Sequence, residues 1–229
     1  MKILALECSA GPASSAIMEN GVIIASEFTN VKMTHSQTLL PMVKSMLDKS
    51  GLSMKDIDAM AVSHGPGSFT GIRIGISAVK GLAAPKKLPC YAVSTLRTIA
   101  ENYRNFDGIV CAVMDARCNQ VYNALFKAEN CKLSRLTEDR ALIIDELVGE
   151  LSEKSENIII VGDGTSLFEQ FVNEKISLSE EENRYQTAVG VALATEEYEP
   201  VSADKLMPFY LRLPQAEREL RAKKGEKQK

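Results

Sequence analysis

The fold of this chain is decided by one glycine-rich stretch, Ser63-His64-Gly65-Pro66-Gly67-Ser68-Phe69-Thr70-Gly71-Ile72-Arg73-Ile74-Gly75. An apolar strand over residues 59–63 precedes the loop, and the spacing predicts a helix over residues 71–84 after it. Two interpretations of the loop stay open. Free amides that open a helix would bind an anion, whereas small side chains would let neighbouring backbone pack closely. A Walker A loop is excluded, because no Gly-Lys-Ser/Thr sequence follows.

The predicted helix over residues 71–84 is rich in small side chains. Seven of its fourteen residues are Gly, Ala or Ser, and three of these are Gly71, Gly75 and Gly81. Three glycines inside a helix cost about 2–3 kcal/mol relative to alanine. We therefore expect another helix or the sheet to approach closely at these positions and offset that cost.

Upstream of this stretch, the sequence predicts three strands and one amphipathic helix. The strands cover residues 3–6, 15–18 and 22–28, and Asn20-Gly21 predicts a tight hairpin turn between the last two. A helix that starts near Thr38 would place Pro41 in its first turn, and Gly51 would end it as the C′ residue. Apolar residues recur with a helical period over residues 38–49, at Leu39, Leu40, Val43, Met46 and Leu47.

Downstream, the order of elements restarts near residue 109. A strand over 91–93 and a helix over 95–102 complete the first half, and strands over 109–114, 121–127 and 132–136 then repeat the opening meander. Helices over 144–154 and 167–175 flank an apolar strand over 158–161 and the turn Gly162-Asp163-Gly164. This repetition predicts a duplicated β-β-β-α-β-α unit, with lobes over 1–104 and 105–213 and a tail over 214–229.

The composition narrows the class of protein. The 229 residues have a net charge of −3, and no apolar run approaches the ~20 residues that span a bilayer. Five cysteines without a C-x-x-C pattern favour reduced thiols in the cytoplasm over a disulfide framework or a zinc site. Residues 214–229 hold six Lys and Arg against three Glu. This basic tail is predicted to be either a disordered, solvated end or an arm that contacts RNA or a partner.

Few side chains are available for catalysis. The only histidines, His35 and His64, form no H-x-x-x-H pair, so no metal site is predicted. Adjacent residues such as His35 and Ser36 rarely form a nucleophile–base pair, and no G-x-S-x-G elbow is present, so helix capping is predicted there.

Two carboxylates occupy corresponding places in the two halves. Glu7 and Asp115 end the first strand of each half, where an actin-like ATPase would hold Mg²⁺ and activate water. Neither carboxylate is followed by the glycine that lets backbone approach a phosphate. Gly162 and Gly164 form a turn at the place expected of a nucleotide-side turn. The machinery for nucleotide chemistry is therefore incomplete.

Together, these segments resemble one family, TsaB, also called YeaZ, of bacterial tRNA threonylcarbamoyladenosine synthesis. The glycine-rich run Gly65–Gly75 is the most specific of the matching segments. The others are His35-Ser36-x-x-Leu39-Leu40-Pro41, Lys80-Gly81-Leu82-Ala83, Val93-Ser94-Thr95-Leu96, Asp115-Ala116-Arg117 and Pro208-x-Tyr210-Leu211-Arg212. They are spread over nearly the whole chain before the tail.

The resemblance implies an α/β, actin-like ATPase (ASKHA) fold of two ribonuclease-H-like lobes that has lost catalysis. The catalytic relative, TsaD, has an Asn-His-x-x-x-His metal motif that falls on residues 94–99, with Thr95 and Ile99 at the histidine positions. The family's usual Asp-Thr-Ser after strand one is Glu7-Cys8-Ser9 here. The resemblance thus implies no catalytic residue, metal or cofactor, and leaves degenerate nucleotide-site positions at Glu7, Asp115, Gly162 and Gly164.

Members of the family heterodimerise with TsaD and join the ATPase TsaE, and the assembly transfers a threonylcarbamoyl group to N6 of adenosine 37 in tRNA. The resemblance implies a cytoplasmic, non-catalytic subunit that forms homodimers when alone and meets tRNA through the complex. It places a partner interface on the first helix, at Leu39, Leu40, Val43, Met46 and Leu47. On the second helix it places interface or packing residues at Gly71, Ile72, Gly75 and Ala78.

Two other functions stay open on the residues alone. Glu7, Asp115 and the turn Gly162-Asp163-Gly164 would suit an autonomous actin-fold ATPase or a small-molecule kinase. A peptidase is the weaker rival, because the chain has neither a histidine pair nor a nucleophile elbow.

Overall fold

The computed structural model describes residues 1–31 and 33–212. The basic tail predicted from residue 214 onward, with its suggested contact to RNA or a partner, lies outside these residues.

Among the described residues, the first sheet has five strands: β1 (Lys2–Glu7), β2 (Ala13–Glu19), β3 (Val22–Thr29), β4 (Ala59–Gly65) and β5 (Cys90–Ser94). Their order across the sheet is β3-β2-β1-β4-β5. Strands β1, β4 and β5 run parallel, and β2 and β3 extend the sheet antiparallel. The predicted opening meander is confirmed.

The second sheet repeats this arrangement with β6 (Gly108–Arg117), β7 (Gln120–Glu129), β8 (Lys132–Arg135), β9 (Arg140–Ile143), β10 (Ile158–Val161) and β11 (Ile176–Leu178). Its order is β11-β10-β6-β7-β8, and β9 also pairs with β7. Both sheets therefore place an antiparallel meander beside parallel strands. This doubled order is the two-lobed, ribonuclease-H-like arrangement of the actin-like fold, and the predicted fold class is confirmed.

In the described part of the chain, five α-helices cover the sheets: α1 (His35–Lys49), α2 (Phe69–Ala83), α3 (Thr95–Ala100), α4 (Ile144–Ser152) and α5 (Ala188–Ala194). Helices α1 and α2 pack on one face of the first sheet, and α5 packs on the other. On the second sheet, α4 and a 3₁₀ helix over Thr165–Phe171 cover one face and α3 covers the other. Within the described part of the chain, no helix is long and apolar enough to cross a membrane.

In each lobe, one helix that packs on the sheet comes from the part of the chain that follows the other sheet. Helix α3 follows the first sheet in sequence, yet its Leu96 and Ile99 pack in the core of the second sheet. Helix α5 follows the second sheet, yet its Val191 packs under the first. The two helices meet so closely that a Cβ at Gly190 would lie 2.5 Å from the carbonyl oxygen of Thr98. The division of the chain at residue 104 stays a prediction.

Helix α1 begins one turn earlier than the sequence predicts. The amides of Gln37 and Thr38 donate to the carbonyl of Thr34, so the first helical residue is His35 rather than Thr38. Pro41 consequently lies inside the helix, where it cannot donate to the carbonyl of Gln37. Both residues are exposed, so water can bond to the carbonyl that the proline leaves free.

Two local predictions are confirmed, the turn between β2 and β3 and the end of α1. Asn20 and Gly21 have φ values of 50° and 83°, as a tight turn with two left-handed residues requires. Gly51 has φ of 66°, and the amide of Leu52 donates to the carbonyl of Leu47 at 3.0 Å. Gly51 is therefore the C′ residue of a Schellman motif.

The glycines of α2 differ in what surrounds them. A Cβ at Gly71 would lie 2.1 Å from the carbonyl oxygen of Cys8, and one at Gly75 would lie 3.0 Å from its Sγ. The expected close approach is confirmed at these two positions, where α2 packs against the end of β1. It is wrong for Gly81, because nothing lies within 4 Å of a Cβ placed there.

Candidate functional site

A polar cleft of about 600 Å³ lies between the two lobes. Its walls come from the turn after β1, the loop after β4, the end of β6 and the turn after β10, and they include Ser9, Ser68, Asp115, Arg117 and Asp163. The carboxyl ends of β1 and β4 point towards it. Ligands bind at this edge in open α/β sheets, so the cleft is the place where nucleotide chemistry would occur.

Glu7 lies behind the wall of the cleft and is fully buried, at 0% exposure. Its Oε1 accepts the N–H of Ser9 at 2.5 Å, and its Oε2 has no hydrogen-bond partner among the described residues. Burial raises the pKa of the Glu7 carboxyl, and the nearby polar groups of Ser63 and Ser9 oppose this rise. Glu7 and Asp115 therefore do not present two carboxylates to one ligand.

Asp115 lies in the cleft, but the hairpin that carries it engages its carboxylate. Its Oδ1 accepts the N–H of Arg117 at 2.7 Å, and its Oδ2 lies 3.5 Å from the Arg117 Nη1. Asp163 reaches the same place from the turn after β10, where its Oδ1 accepts the N–H of Asp115 at 3.2 Å. Burial raises the pKa of Asp163 to about 6.

Gly162 and Gly164 bring this turn against β6. Gly162 has φ of +127°, and a Cβ there would lie 1.8 Å from the carbonyl oxygen of Val113. A Cβ at Gly164 would lie 3.3 Å from the amide nitrogen of Asp115. Both glycines thus contact the second sheet, and the structure brings Gly162, Gly164 and Asp115 together while Glu7 stays apart.

Two of the amides that an anion would need, in the loop after β4 and at the start of α2, already donate to groups of the protein. The N–H of Ser68 donates to the carbonyl of Ser9 at 2.7 Å, and the N–H of Gly71 donates to the Ser68 hydroxyl at 3.2 Å. A Cβ at Gly67 would lie 2.4 Å from the carbonyl oxygen of Ser9. Of the two interpretations of the loop, close packing on the turn after β1 is the one that these contacts support.

The positions of the two metal histidines of TsaD, as carried over by the resemblance, are core positions in this chain. Thr95 and Ile99 are both 0% exposed, and Ile99 packs in the core of the second sheet. Within residues 1–31 and 33–212, no group of three or more His, Cys, Asp or Glu side chains is close enough to hold a metal ion.

His35 and Ser36 do not act as a pair. The His35 Nε2 lies 2.7 Å from the carbonyl oxygen of Ala10, whereas the Ser36 hydroxyl donates to the hydroxyl of Thr34 at 3.2 Å. Neither side chain bonds a free amide of the first turn of α1. The predicted capping by these two residues is therefore wrong, and His35 instead ties α1 to the turn after β1.

An apolar groove of about 560 Å³ separates the outer faces of α1 and α2. Its apolar lining residues are Leu39, Leu40, Ile74 and Ala78, and the Leu40 side chain is 48% exposed. A second hollow of about 560 Å³ adjoins it and shares His35, Thr70 and Ile74. Val31 and Met33 line that hollow and are 55% and 56% exposed. Exposed apolar surface of this kind is typical of a protein interface.

The groove contains only part of the predicted interface. Of the five residues named on α1, only Leu40 is exposed, because Leu39, Val43, Met46 and Leu47 face the first sheet and belong to the core. On α2, Ala78 lines the groove, whereas Gly71, Ile72 and Gly75 are buried beneath it. The helical stripe read from the sequence is the face that covers the chain's own sheet.

Curated proteins with the same description are similar to this chain over most of its length. A curated protein of Bacillus subtilis strain 168, "tRNA threonylcarbamoyladenosine biosynthesis protein TsaB", is 33% identical over 221 residues, which cover 95% of this chain and 96% of that protein. The chain belongs to the TsaB family. The Escherichia coli K12 member is 38% identical over 167 residues, which cover 72% of each chain.

The solved structure of YeaZ from Pseudomonas aeruginosa superposes on this TsaB-family chain with a TM-score of 0.80. It is 28% identical and covers 92% of this chain and 99% of its own. A family model described as "TsaD: tRNA N6-adenosine threonylcarbamoyltransferase" also matches residues 23–217. The chain therefore shares sequence features with the transferase family.

Several residues that shape the surface of this chain are not predicted from the sequence. Ile74 and Ser77 line the groove one helical turn apart, and Val31 and Met33 extend it. For Ile74 and Ser77, the signal is the spacing along α2 of the residues that face away from the buried glycines. The sequence names Asp163 only as part of the turn Gly162-Asp163-Gly164, and the structure places its carboxylate in the cleft beside Asp115.

Proposed function

We propose that this chain is a non-catalytic subunit of the cytoplasmic tRNA N6-threonylcarbamoyladenosine transferase complex, where it heterodimerises with TsaD and helps recruit TsaE. Alone, it forms a homodimer through the same surface. The observation that carries the proposal is the apolar groove between α1 and α2, in a chain whose family takes part in threonylcarbamoyladenosine biosynthesis.

The shape of the groove supports a protein partner. Leu40 projects from α1 with 48% of its surface exposed, and Ile74 and Ala78 flank it on α2. Burying an exposed leucine yields about 1.5–3 kcal/mol, so one such side chain in a groove can be a major anchor. A helix laid between α1 and α2 would cover Leu40 and the two α2 residues together.

The state of the cleft supports the non-catalytic role. The Arg117 N–H donates to one oxygen of Asp115, the exposed Arg117 guanidinium lies 3.5 Å from the other, and Glu7 is buried behind the wall. The Ser68 amide is bonded to Ser9, so a phosphate would meet fewer free donors than in an open glycine-rich loop.

The proposal predicts that Leu40→Glu weakens binding to TsaD of the same organism at least tenfold. A carboxylate placed in an apolar interface would have to be desolvated without a counter-charge. Isothermal titration calorimetry measures the affinity, and the threonylcarbamoyladenosine content of tRNA in cells carrying the variant reports the activity of the complex.

Val22→Glu is the matched control, because Val22 is an apolar residue at 64% exposure on β3, outside the groove. We expect it to bind TsaD like the wild type. Wild-type affinity and wild-type tRNA modification in Leu40→Glu would contradict the proposed docking surface. Both substituted residues are exposed, so each variant is expected to fold, and circular dichroism checks this.

The rival function is an autonomous ATPase or small-molecule kinase, which the cleft of about 600 Å³ with Asp115 and Asp163 would house. Calorimetric titration of ATP–Mg²⁺ into the isolated chain separates the two. We expect no binding at micromolar concentrations. Micromolar affinity together with turnover would overturn the non-catalytic assignment.

A further inference from the structure

We propose that Arg73 selects the partner at the α1–α2 groove by pairing with a carboxylate on the apolar surface that docks there, and that Tyr210 positions Arg73 for this pairing. The inference rests on the proposed function and specifies the chemistry of the partner. Two observations support it: the contacts that hold the Arg73 side chain, and the charges of the residues that line the groove.

Arg73 is fixed on two aromatic rings at the edge of the groove. Its Nε–H donates to the Tyr210 hydroxyl at 2.8 Å, and its Cζ lies 5.9 Å from the ring centre of Phe69 and 5.7 Å from that of Tyr210. The two rings stack with centroids 4.2 Å apart. The planar guanidinium is thereby held in one place while its two terminal nitrogens stay available.

Tyr210 belongs to a strap over residues 207–212 that is anchored on both lobes. The N–H of Phe209 donates to the carbonyl of His64 at 2.8 Å, and Arg212 donates to the carbonyl of Ala116 across the cleft. The strap passes so close to the loop after β4 that a Cβ at Gly65 would lie 2.1 Å from the Phe209 carbonyl oxygen. The hydroxyl that bonds Arg73 is therefore itself held in position.

No carboxylate satisfies Arg73 within residues 1–31 and 33–212, where the ion pairs closer than 4 Å all involve other cations. Among the residues that the structure describes, nine line the groove, and none of these is Asp or Glu. Arg73 is the one permanently charged residue among these nine. The Arg73 guanidinium therefore gives this groove a positive charge, although the net charge of the chain is −3.

The complementary partner is an apolar surface that carries a carboxylate opposite Arg73. An arginine forms two parallel hydrogen bonds with a carboxylate, which adds orientation to the apolar contact. Because the aromatic rings and Tyr210 already restrict the side chain, little rotamer freedom is lost when the partner binds. The pair would fix the register of the docked helix along the groove.

The alternative is that Arg73 has only a structural role, in which its hydrogen bond to Tyr210 holds the strap against α2. Both roles predict lower thermal stability for Arg73→Met, which keeps the apolar stem and removes the charge. Only the pairing role predicts weaker binding of the folded variant to TsaD and a smaller loss of affinity with added salt.

The test is the affinity of the full chain for TsaD at 50 mM and 300 mM NaCl. We expect Arg73→Met to weaken binding about tenfold at low salt and to flatten its salt dependence. Tyr210→Phe, which keeps the ring stack and removes the hydroxyl, should weaken binding about threefold and leave the salt dependence in place. Lys132→Met is the matched control, because it removes one exposed cation from β8, away from the groove.

The outcomes separate the two proposals. If the wild type binds and Arg73→Met binds equally well with the same salt dependence, the Arg73 assignment is overturned and the docking surface stands. Equal losses in Arg73→Met and Lys132→Met would also overturn it, since they would reflect net charge alone. If the wild type does not bind TsaD, the proposed function fails and the assignment fails with it.

Discussion

Gly71→Ala is expected to lower the free energy of unfolding by about 3 kcal/mol, because a Cβ there would lie 2.1 Å from the carbonyl oxygen of Cys8. That oxygen is backbone at the end of a central strand, so no flexible side chain can move aside. Alanine would force the start of α2 away from the first sheet. Urea unfolding of the purified chain measures the change.

Gly81→Ala is the matched control on the same helix. Nothing lies within 4 Å of a Cβ at Gly81, so alanine should stabilise the chain by about 0.5–1 kcal/mol through helix propensity alone. The same chemical change is thus expected to have opposite signs at two places on α2. Equal effects of the two substitutions would contradict the packing assigned to Gly71.

Asp163→Asn is expected to stabilise the chain, by about 2 kcal/mol more at pH 7.5 than at pH 4.5. Burial in the cleft raises the pKa of Asp163 from 3.8 to about 6; the Asp115 carboxylate adds to the rise, and Arg117 and the Asp115 N–H oppose it. Asparagine keeps an oxygen that accepts the Asp115 N–H, and it has no charge to bury.

The direction of this pH dependence follows from the raised pKa of Asp163. Below pH 3.8 the carboxyl is mostly protonated in both the folded and the unfolded chain, so its contribution to stability is complete. As the pH rises through about 6, the folded chain has to ionise a buried acid, and that contribution is lost. The Asp163→Asn variant would escape the loss because asparagine does not titrate.

Urea unfolding of the wild type and of Asp163→Asn at both pH values measures the difference. Asp48→Asn is the control, because that carboxylate is 63% exposed on α1 and its ion pair with Lys44 is worth less than about 1 kcal/mol. A gain for Asp163→Asn that is equal at pH 4.5 and pH 7.5 would contradict the burial of a titrating Asp163.

The parts of the fold that the sequence predicts well have local signals. The turn at Asn20-Gly21 and the helix end at Gly51 both need left-handed backbone, which few residues adopt readily. The predicted start of α1 near Thr38 is wrong because the prediction places Pro41 in the first turn, whereas Pro41 lies inside the helix. Pro41 is accommodated there because its solvent-facing side leaves the orphaned carbonyl to water.

The elements that were not predicted lack such signals. Helix α5 is seven residues long, and five of these are buried because α3 and the first sheet enclose it. A helix buried nearly all round has no polar face, so its sequence shows no amphipathic period. Strand β11 has only three residues, and β9 has no buried residue. Both are defined by pairing with distant strands.

The groove between α1 and α2 shows what the period of apolar residues in a sequence cannot predict. Leu39, Val43, Met46 and Leu47 have the spacing of an apolar helix face, but the spacing alone cannot distinguish the chain's own sheet from a partner. The structure resolves this, because these four side chains are buried in the core and, of the five, only Leu40 is exposed at the groove. Arg73 and Tyr210 are 137 residues apart, so their contact had no local signature.

The central claim is that this chain acts by binding a partner. Size-exclusion chromatography with multi-angle light scattering tests it most directly, on the 25.1 kDa chain alone, on TsaD alone and on their mixture. We predict a dimer for the chain alone, and in the mixture a heterodimer whose mass is the sum of one copy of each. A mixture that elutes as the two separate proteins, with their separate masses, would contradict the account.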